Sequence, residues 1–311
     1  MQSKLFYIYS FYQFTKIKDI DSIKKLLMND LSKKFIKGTI LLANEGINAS
    51  IAGHKNDLDL SINFIKKTLG IKTVNIKINR CDFIPFNRMK IRLKKEIVSI
   101  GKNNIDTMNC TAKEIDSDEW DSIIKESNIK LLDVRNTYEI NIGKFKNSLN
   151  PITNNFREFP KKFKDMKINK NDKIAMYCTG GIRCHKASSY LIGKGYKNIV
   201  QLKGGIIEYL NNKKNNSNWE GECFVFDNRV SINNKLLKGS YEQCHGCRSA
   251  ISKKDMQSPK YKKGICCPHC YDNRSKKQIS RSTARQQQID LGKDKVQRNI
   301  FRKIYNKDKH L

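Results

Sequence analysis

Lys173-Ile-Ala-Met-Tyr-Cys178-Thr-Gly-Gly-Ile-Arg-Cys184-His-Lys-Ala-Ser-Ser-Tyr190 carries a short apolar strand into a cysteine, then a loop with two glycines, then a helical run. A strand that passes through a glycine turn into a helix is a building unit of parallel α/β sheets, and ligands in such sheets gather beyond the carboxyl ends of the strands. Cys178 stands at such an end. Gly180 and Gly181 allow tight, partly left-handed turns, so the N–H groups of residues 179 to 184 are expected to converge on the sulfur. A helix dipole starting near Cys184 and the charge of Arg183 both favour thiolate over thiol. The loop Thr179, Gly180, Gly181, Ile182, Arg183 and Cys184 is therefore read as an anion nest around a nucleophile, Cys178. The plainer alternative is a packed cysteine at a strand end.

Working outward, strand Lys130-Leu-Leu-Asp-Val134, a loop from Arg135 to Pro151, strand 173–177, helix 184–193, strand 199–202 and helix 206–213 alternate as a parallel sheet with helices on both faces requires. This sets a domain at 114–215. Upstream, a strand at 4–12, a helix over 20–35, strands 39–43 and 49–52 around Asn44-Glu-Gly-Ile-Asn48, a helix at 56–69 and strands near 73–78 and 89–100 follow the ferredoxin-like order βαββαβ. The aromatics of residues 6 to 14 are assigned to its core. That domain is placed at 1–101, with a linker at 102–113. Beyond Asn211 come a polar connector and a cysteine-rich, basic region at 216–311, whose end is poor in apolar residues and is expected to be partly helical or disordered until bound.

The 311 residues hold 61 Lys and Arg against 30 Asp and Glu, a formal charge of +31. Such a charge draws polyanions, with nucleic acid the natural partner; an AT-rich genome would also enrich Lys, Asn and Ile without selection for binding. No stretch approaches the roughly 20 apolar residues of a membrane span. The N-terminus lacks the pattern of a signal peptide, so a cytoplasmic location is expected. No organic cofactor motif and no protein partner are evident.

Cys244-His-Gly-Cys247 and Cys267-Pro-His-Cys270 form two C-x2-C knuckles. Each short turn lets two thiolates chelate one tetrahedral ion, so a structural zinc on Cys244, Cys247, Cys267 and Cys270 is the expectation. Reduced free cysteines, or a site that uses His245, His269 or Cys266 instead, are the alternatives.

The Cys178 segment resembles rhodanese-like domains, with Asp133-Val-Arg135, Glu139 and Gly143-Lys-Phe-Lys-Asn-Ser-Leu-Asn-Pro151 as further landmarks; Lys144 stands where a histidine is usual. Taken with Lys186-Ala-Ser, Gly204-Gly-Ile-Ile-Glu-Tyr209, Ala43-Asn-Glu-Gly-Ile-Asn48 and the Cys244 knuckle, nearly the whole chain resembles the bacterial tRNA uridine(34) hydroxylases. His185 replaces a common glutamate. The resemblance implies oxygen-dependent conversion of the wobble uridine of tRNA to 5-hydroxyuridine, with molecular oxygen as co-substrate, the anticodon loop as partner and Cys178 essential.

The chemistry of Cys178 has two readings: its thiolate attacks C6 of uracil, or the sulfur is itself oxidised and carries the reactive atom, with Cys184 as resolving thiol or simply a packed residue. Asp133 and Arg135 are expected to support the loop, and Arg183 to contact phosphate or a carboxylate such as Asp133 or Glu139. Rival functions are a rhodanese-type sulfurtransferase, a phosphatase, whose loop would be one residue longer, and a non-catalytic RNA-binding protein.

Overall fold

The computed structural model describes residues 5–213 and 217–294. Contacts divide the chain after Lys238 into two units, Met1–Lys238 and Gly239–Leu311.

The N-terminal part of the first unit is β1 (Phe6–Phe14), α1 (Ile20–Ser32), β2 (Lys37–Ala43), β3 (Gly46–Gly53), α2 (Lys55–Leu69), β4 (Lys77–Cys81) and β5 (Met89–Leu93). The sheet order is β4-β1-β3-β2-β5, a ferredoxin-like arrangement with β5 added parallel to β2. Strand alternation gives the sheet two faces. Tyr9 and Phe11 pack with Leu27 and Leu31 of α1 and Leu58, Ile62 and Ile65 of α2. Asp19 caps α1 by accepting from the Ser22 N–H at 3.0 Å, and α2 stops at Gly70 in the left-handed conformation. Ile8, Ser10, Tyr12 and Phe14 occupy the opposite face, which no helix of this domain covers.

The strand expected over 89–100 ends at Leu93. Beyond it carboxylates take the backbone N–H groups that a ladder would need: Glu45 accepts from Ile97 at 2.7 Å, and Glu96 from Ile100 at 3.0 Å and Gly101 at 3.1 Å. The strand expected at 73–78 lies later, because pairing with β1 begins at Ser10 opposite Lys77.

The rhodanese-like part runs β6 (Lys113–Ile115), α3 (Ser117–Ile123), β7 (Ile129–Asp133), α4 (Thr137–Ile140), β8 (Gly143–Phe145), α5 (Phe159–Asp165), β9 (Lys173–Tyr177), α6 (Ile182–Ile192), β10 (Ile199–Leu202) and α7 (Gly205–Lys213). Its parallel sheet has the order β6-β10-β9-β7. β9 splits its side chains between two cores: Ile174, Met176 and Cys178 join Phe159, Cys184 and Leu191, while Ala175 and Tyr177 join Trp120, Phe145 and Tyr209.

Residues beyond 215 pack against the rhodanese-like part. β11 (Trp219–Gly221) pairs with β8, β12 (Cys223–Phe224) pairs with β13 (Ser231–Ile232), and Trp219, Cys223, Val225 and Ile232 are buried in the second of those cores. A large indole seated against Phe145 draws this segment into the rhodanese body, so the compact division falls at 238/239. The expected linker at 102–113 is partly structural as well, since Ala112 is buried beside Ile100 and Lys113 opens β6.

Lys186 of α6 joins the two domains of this unit. Its buried ammonium meets Glu45 at 2.7 and 2.8 Å, Glu96 at 2.7 Å and the Val98 carbonyl at 3.0 Å. The Asn44-Glu-Gly-Ile-Asn48 turn supplies one of those carboxylates. Asn48 adds a bond to the Ile97 carbonyl at 3.1 Å, and Gly46 is forced because a Cβ there would lie 2.0 Å from the Gln13 carbonyl oxygen.

The second unit is small: β14 (Glu242–Gln243), β15 (Ala250–Ile251), α8 (Lys253–Gln257) and α9 (Lys276–Asp294). Its core is Ile251 with four cysteines, flanked by Met256, Tyr261 and Ile265. The segment expected to be partly helical or disordered is helical through α9; residues 214–216 of the connector and 295–311 of the tail lie outside the described residues. No helix among the described residues is long and apolar enough to cross a membrane.

Candidate active site

Cys178 follows β9 directly, and the helix after it begins at Ile182, two residues before the expected position. Gly181, at φ +94°, turns its N–H onto the Cys178 sulfur at 3.2 Å. Burial opposes the thiolate. The Cys184 thiol donating to the sulfur, the Arg183 charge and the N–H groups of Cys184 and Arg183 outweigh it and hold the Cys178 pKa down to about 5. Cys184 is driven the other way, well above the ordinary thiol range, by burial and by the adjacent sulfur. It is a neutral donor packed in the core, which fits the packed-residue reading better than the resolving one.

Arg183 pairs with Glu139 through two bonds of 2.6 and 2.8 Å and touches the Thr179 hydroxyl at 3.2 Å. Glu139 is fully buried; burial raises its pKa, but the Arg183 guanidinium more than compensates and the carboxyl stays ionised. Arg135 holds Asp133 at 2.6 and 2.9 Å, donates to the Gly143 carbonyl at 2.7 Å and lies 4.9 Å from the Trp219 ring centre. Asp133 and Arg135 are thus a fully buried pair tied to the Glu139 and Gly143 carbonyls. Lys144 is exposed on β8, away from these bonds. His185, neutral because burial lowers its pKa, meets the Thr107 carbonyl at 2.8 Å and packs on Phe14.

Three elements to which the sequence assigned no role at the site complete it. The start of α7 donates to the loop carbonyls, Ile206 to Cys178 at 3.0 Å and Ile207 to Thr179 at 3.1 Å. Gly205, at φ +70°, makes that approach feasible: a Cβ would sit 2.5 Å from the Cys178 oxygen and 2.8 Å from the Gly181 nitrogen. Gly205→Ala is expected to cost about 3 kcal/mol, combining overpacking against backbone with left-handed strain. Urea unfolding measures the loss, and an unchanged midpoint would refute the close approach.

Tyr12 is the second element. It leaves the core expected for residues 6 to 14 and lies against the loop, its hydroxyl 3.3 Å from where a Cβ on Gly181 would be. The third is Phe226, 65% exposed, with the Arg183 guanidinium 5.9 Å from its ring centre. Both line a cavity of about 470 Å³ bounded by the Cys178 loop, the helix-free face of the N-terminal sheet and residues 225–229. Strand alternation was the available signal for Tyr12; Gly205 lies in the Gly204–Tyr209 motif quoted for the resemblance but was given no role there, and nothing local marked Phe226.

In the second unit, the sulfurs of Cys244, Cys247, Cys267 and Cys270 all lie within 4.8 Å of one another. Cys244 to Cys270, Cys247 to Cys267 and Cys267 to Cys270 are 4.0, 3.8 and 3.9 Å apart. A tetrahedron with zinc–sulfur bonds of about 2.3 Å has edges of about 3.8 Å, so the donor set fits zinc. Cys266 points instead toward the Lys260 carbonyl and His269 toward Asp255, and neither histidine joins the cluster.

A thiolate loop of rhodanese type, roofed by a ferredoxin-like sheet, defines a two-domain rhodanese-related protein. The UPF0176 acylphosphatase like domain matches residues 6–97, and the rhodanese-like domain matches residues 116–212. Over 303 residues the chain is 46% identical to a tRNA uridine(34) hydroxylase of Pelagibacter ubique (strain HTCC1062), covering 97% of this chain and 100% of that one. The chain belongs to the tRNA uridine(34) hydroxylase family. Among solved structures, a rhodanese-related protein from Thermoplasma volcanium is 30% identical over 32% of this chain and 92% of its own, with a TM-score of 0.28. A rhodanese-like domain protein from Staphylococcus aureus is 28% identical over 31% and 90%, also at 0.28.

Proposed function

We propose that the chain hydroxylates the wobble uridine 34 of tRNA to 5-hydroxyuridine with molecular oxygen as co-substrate, and that Cys178 is its essential residue. The observation that carries this reading is the roof over the thiolate: Cys178, itself buried, lies in the wall of a cavity of about 470 Å³ whose other side is a second domain. That volume lies within the range of clefts that enclose a small organic ligand. An unpaired anticodon base splayed from its loop suits such a space, with the exposed Phe226 ring at hand for stacking. The net charge of +31 supplies long-range attraction for the tRNA backbone in the cytoplasm.

The rivals fit less well. A sulfur carrier does not need the roof, and a phosphatase needs its arginine free for an oxyanion, whereas Arg183 is taken by Glu139 in a two-pronged pair. Zinc bound by Cys244, Cys247, Cys267 and Cys270 would be closed to substrate and would supply folding energy to the second unit.

The test is reaction of purified protein with unmodified tRNA, with and without oxygen, followed by mass analysis of nucleosides. The expected result is a gain of one oxygen at the wobble uridine only when oxygen is present. A change confined to thiolated nucleosides would establish the sulfurtransferase instead.

A further inference from the structure

Two lysines of the described residues are buried, and they are treated differently. Lys186, 2% exposed, sits between two carboxylates. Lys77, 7% exposed, has no carboxylate within ion-pairing distance among the described residues. Its ammonium lies 5.0 Å from the ring centre of Tyr12, the residue that packs on Gly181 beside the thiolate. Burial lowers its pKa, offset in part by Glu208, Cys178 and Glu114 at longer range. An ammonium withdrawn from water without an anion is costly, and a fold keeps one where an anion arrives later.

The surroundings indicate what arrives. Lys77 of β4 is opposite Ser10 of β1, Ser10 is opposite Ser50 of β3, and Ser50 is opposite Thr39 of β2. These four polar residues form a row across the helix-free face, and all of them line the same cavity as Cys178. The Ser10 and Ser50 hydroxyls are 2.8 Å apart, so together they offer both a donor and an acceptor to a ligand. Of the other charged groups on the cavity wall, Arg183 is used by Glu139, Glu96 by Lys186 and Arg229 by Asp227, while Lys94 is exposed to water and carries no desolvation cost.

We infer that this row reads the edge of the target uracil, and that Lys77 receives the negative charge which collects on O4 when the Cys178 thiolate adds to C6. The inference rests on the wobble-uridine reading and deepens it. In the step, a bond forms between sulfur and C6, the C5–C6 π pair moves toward C5, and the charge delocalises onto O4 as an enolate. No oxidant is consumed. A solvent proton taken up at C5 gives the saturated adduct; loss of either C5 proton and expulsion of the thiolate restore uracil. Hydrogen at C5 must therefore exchange with water without oxygen. A fixed cation at a developing oxyanion contributes on the order of 10²- to 10³-fold in rate.

The experiment is anaerobic incubation of full-length protein with unmodified tRNA in heavy water, reading deuterium at C5 of the wobble uridine by mass. Wild type is expected to exchange it and Cys178→Ser not at all. Lys77→Met should slow exchange by about 10²-fold or more, with tRNA affinity and thermal midpoint held, because removing an unpaired buried charge does not destabilise a fold. Lys77→Gln is measured alongside it. Exchange at the wild-type rate in both variants, or collapse of the fold in both, would overturn the role of Lys77. Absence of exchange in a wild-type enzyme that hydroxylates once oxygen is admitted would overturn the C6 adduct and leave the hydroxylase reading intact. Absence of oxygen-dependent hydroxylation would defeat that reading itself.

Discussion

Cys178→Ser is expected to lower uridine hydroxylation by on the order of 10⁴-fold while leaving tRNA affinity and stability close to wild type. The substitution is nearly isosteric, and the Gly181 N–H that reaches the sulfur at 3.2 Å can equally serve a hydroxyl oxygen. What changes is the charge. The nest, the Cys184 thiol and Arg183 hold the cysteine as thiolate at neutral pH, with its pKa at about 5. A serine hydroxyl stays protonated in the same surroundings, so the nucleophile is lost although the cradle remains. The same physics fixes the sign of the pH response. The thiolate is the acting form, so the rate constant for inactivation by iodoacetamide should be flat near neutrality and fall as pH drops through about 5. Cys184→Ala removes one donor and should move that fall to higher pH. Full activity of Cys178→Ser, or an inactivation midpoint in the ordinary thiol range near about 8.5, would defeat the activated thiolate.

The loop's function and its anchorage are separate, and the sequence spoke more clearly about the first. Strand, glycines, arginine and helix around Cys178 are consecutive, so local rules suffice to place them. Arg183 was assigned to phosphate or to a carboxylate, and only the fold selects Glu139, 44 residues away, as its partner. The choice matters because a two-pronged buried pair holds the guanidinium beside the sulfur while removing it from duty as a ligand for phosphate. Asp133 and Arg135, two residues apart at a strand end, were legible as structural residues, and they form a buried ion pair. The pair also depends on Trp219, whose sequence neighbourhood reads as a connector and whose burial is set by Phe145. That long-range packing is also why the expected end at 215 differs from the compact division at 238/239.

The same contrast governs the roof. The aromatics of residues 6 to 14 were assigned together to the core; Tyr9 and Phe11 join it with α1 and α2, and alternation in β1 sets them apart from the mixed face of Ile8, Ser10, Tyr12 and Phe14. It cannot tell that the mixed face will meet a second domain, since that requires Lys186 to find Glu45 and Glu96 across the chain. Once the clamp is seen, the Asn44-to-Asn48 turn is explained as one side of a domain junction. Tyr12 and Lys77, unremarkable in sequence, then become walls of the site.

Stripping metal from the second unit is expected to unfold it. Without a metal, its buried apolar core consists of Ala250, Ile251 and the side chains of Cys244, Cys266, Cys267 and Cys270, too little apolar area to offset chain entropy over this many residues. Zinc on four thiolates supplies an apparent binding free energy of about 10–16 kcal/mol in small domains, which is folding free energy when no site exists in the unfolded chain. α9 depends on the same centre. Its sequence is almost entirely polar, and Arg285 anchors it by donating to the His245 carbonyl at 3.2 Å in one knuckle and the Gly264 carbonyl at 2.8 Å beside the other. Loss of the ion frees both carbonyls and leaves a helix that cannot persist on propensity alone. Metal analysis should therefore find one zinc per chain. A strong chelator, or Cys267→Ser, should raise amide exchange across residues 242–271 to unprotected rates and reduce the helical signal by the contribution of α9. Retained protection after complete removal of metal would mean that the four sulfurs pack without an ion.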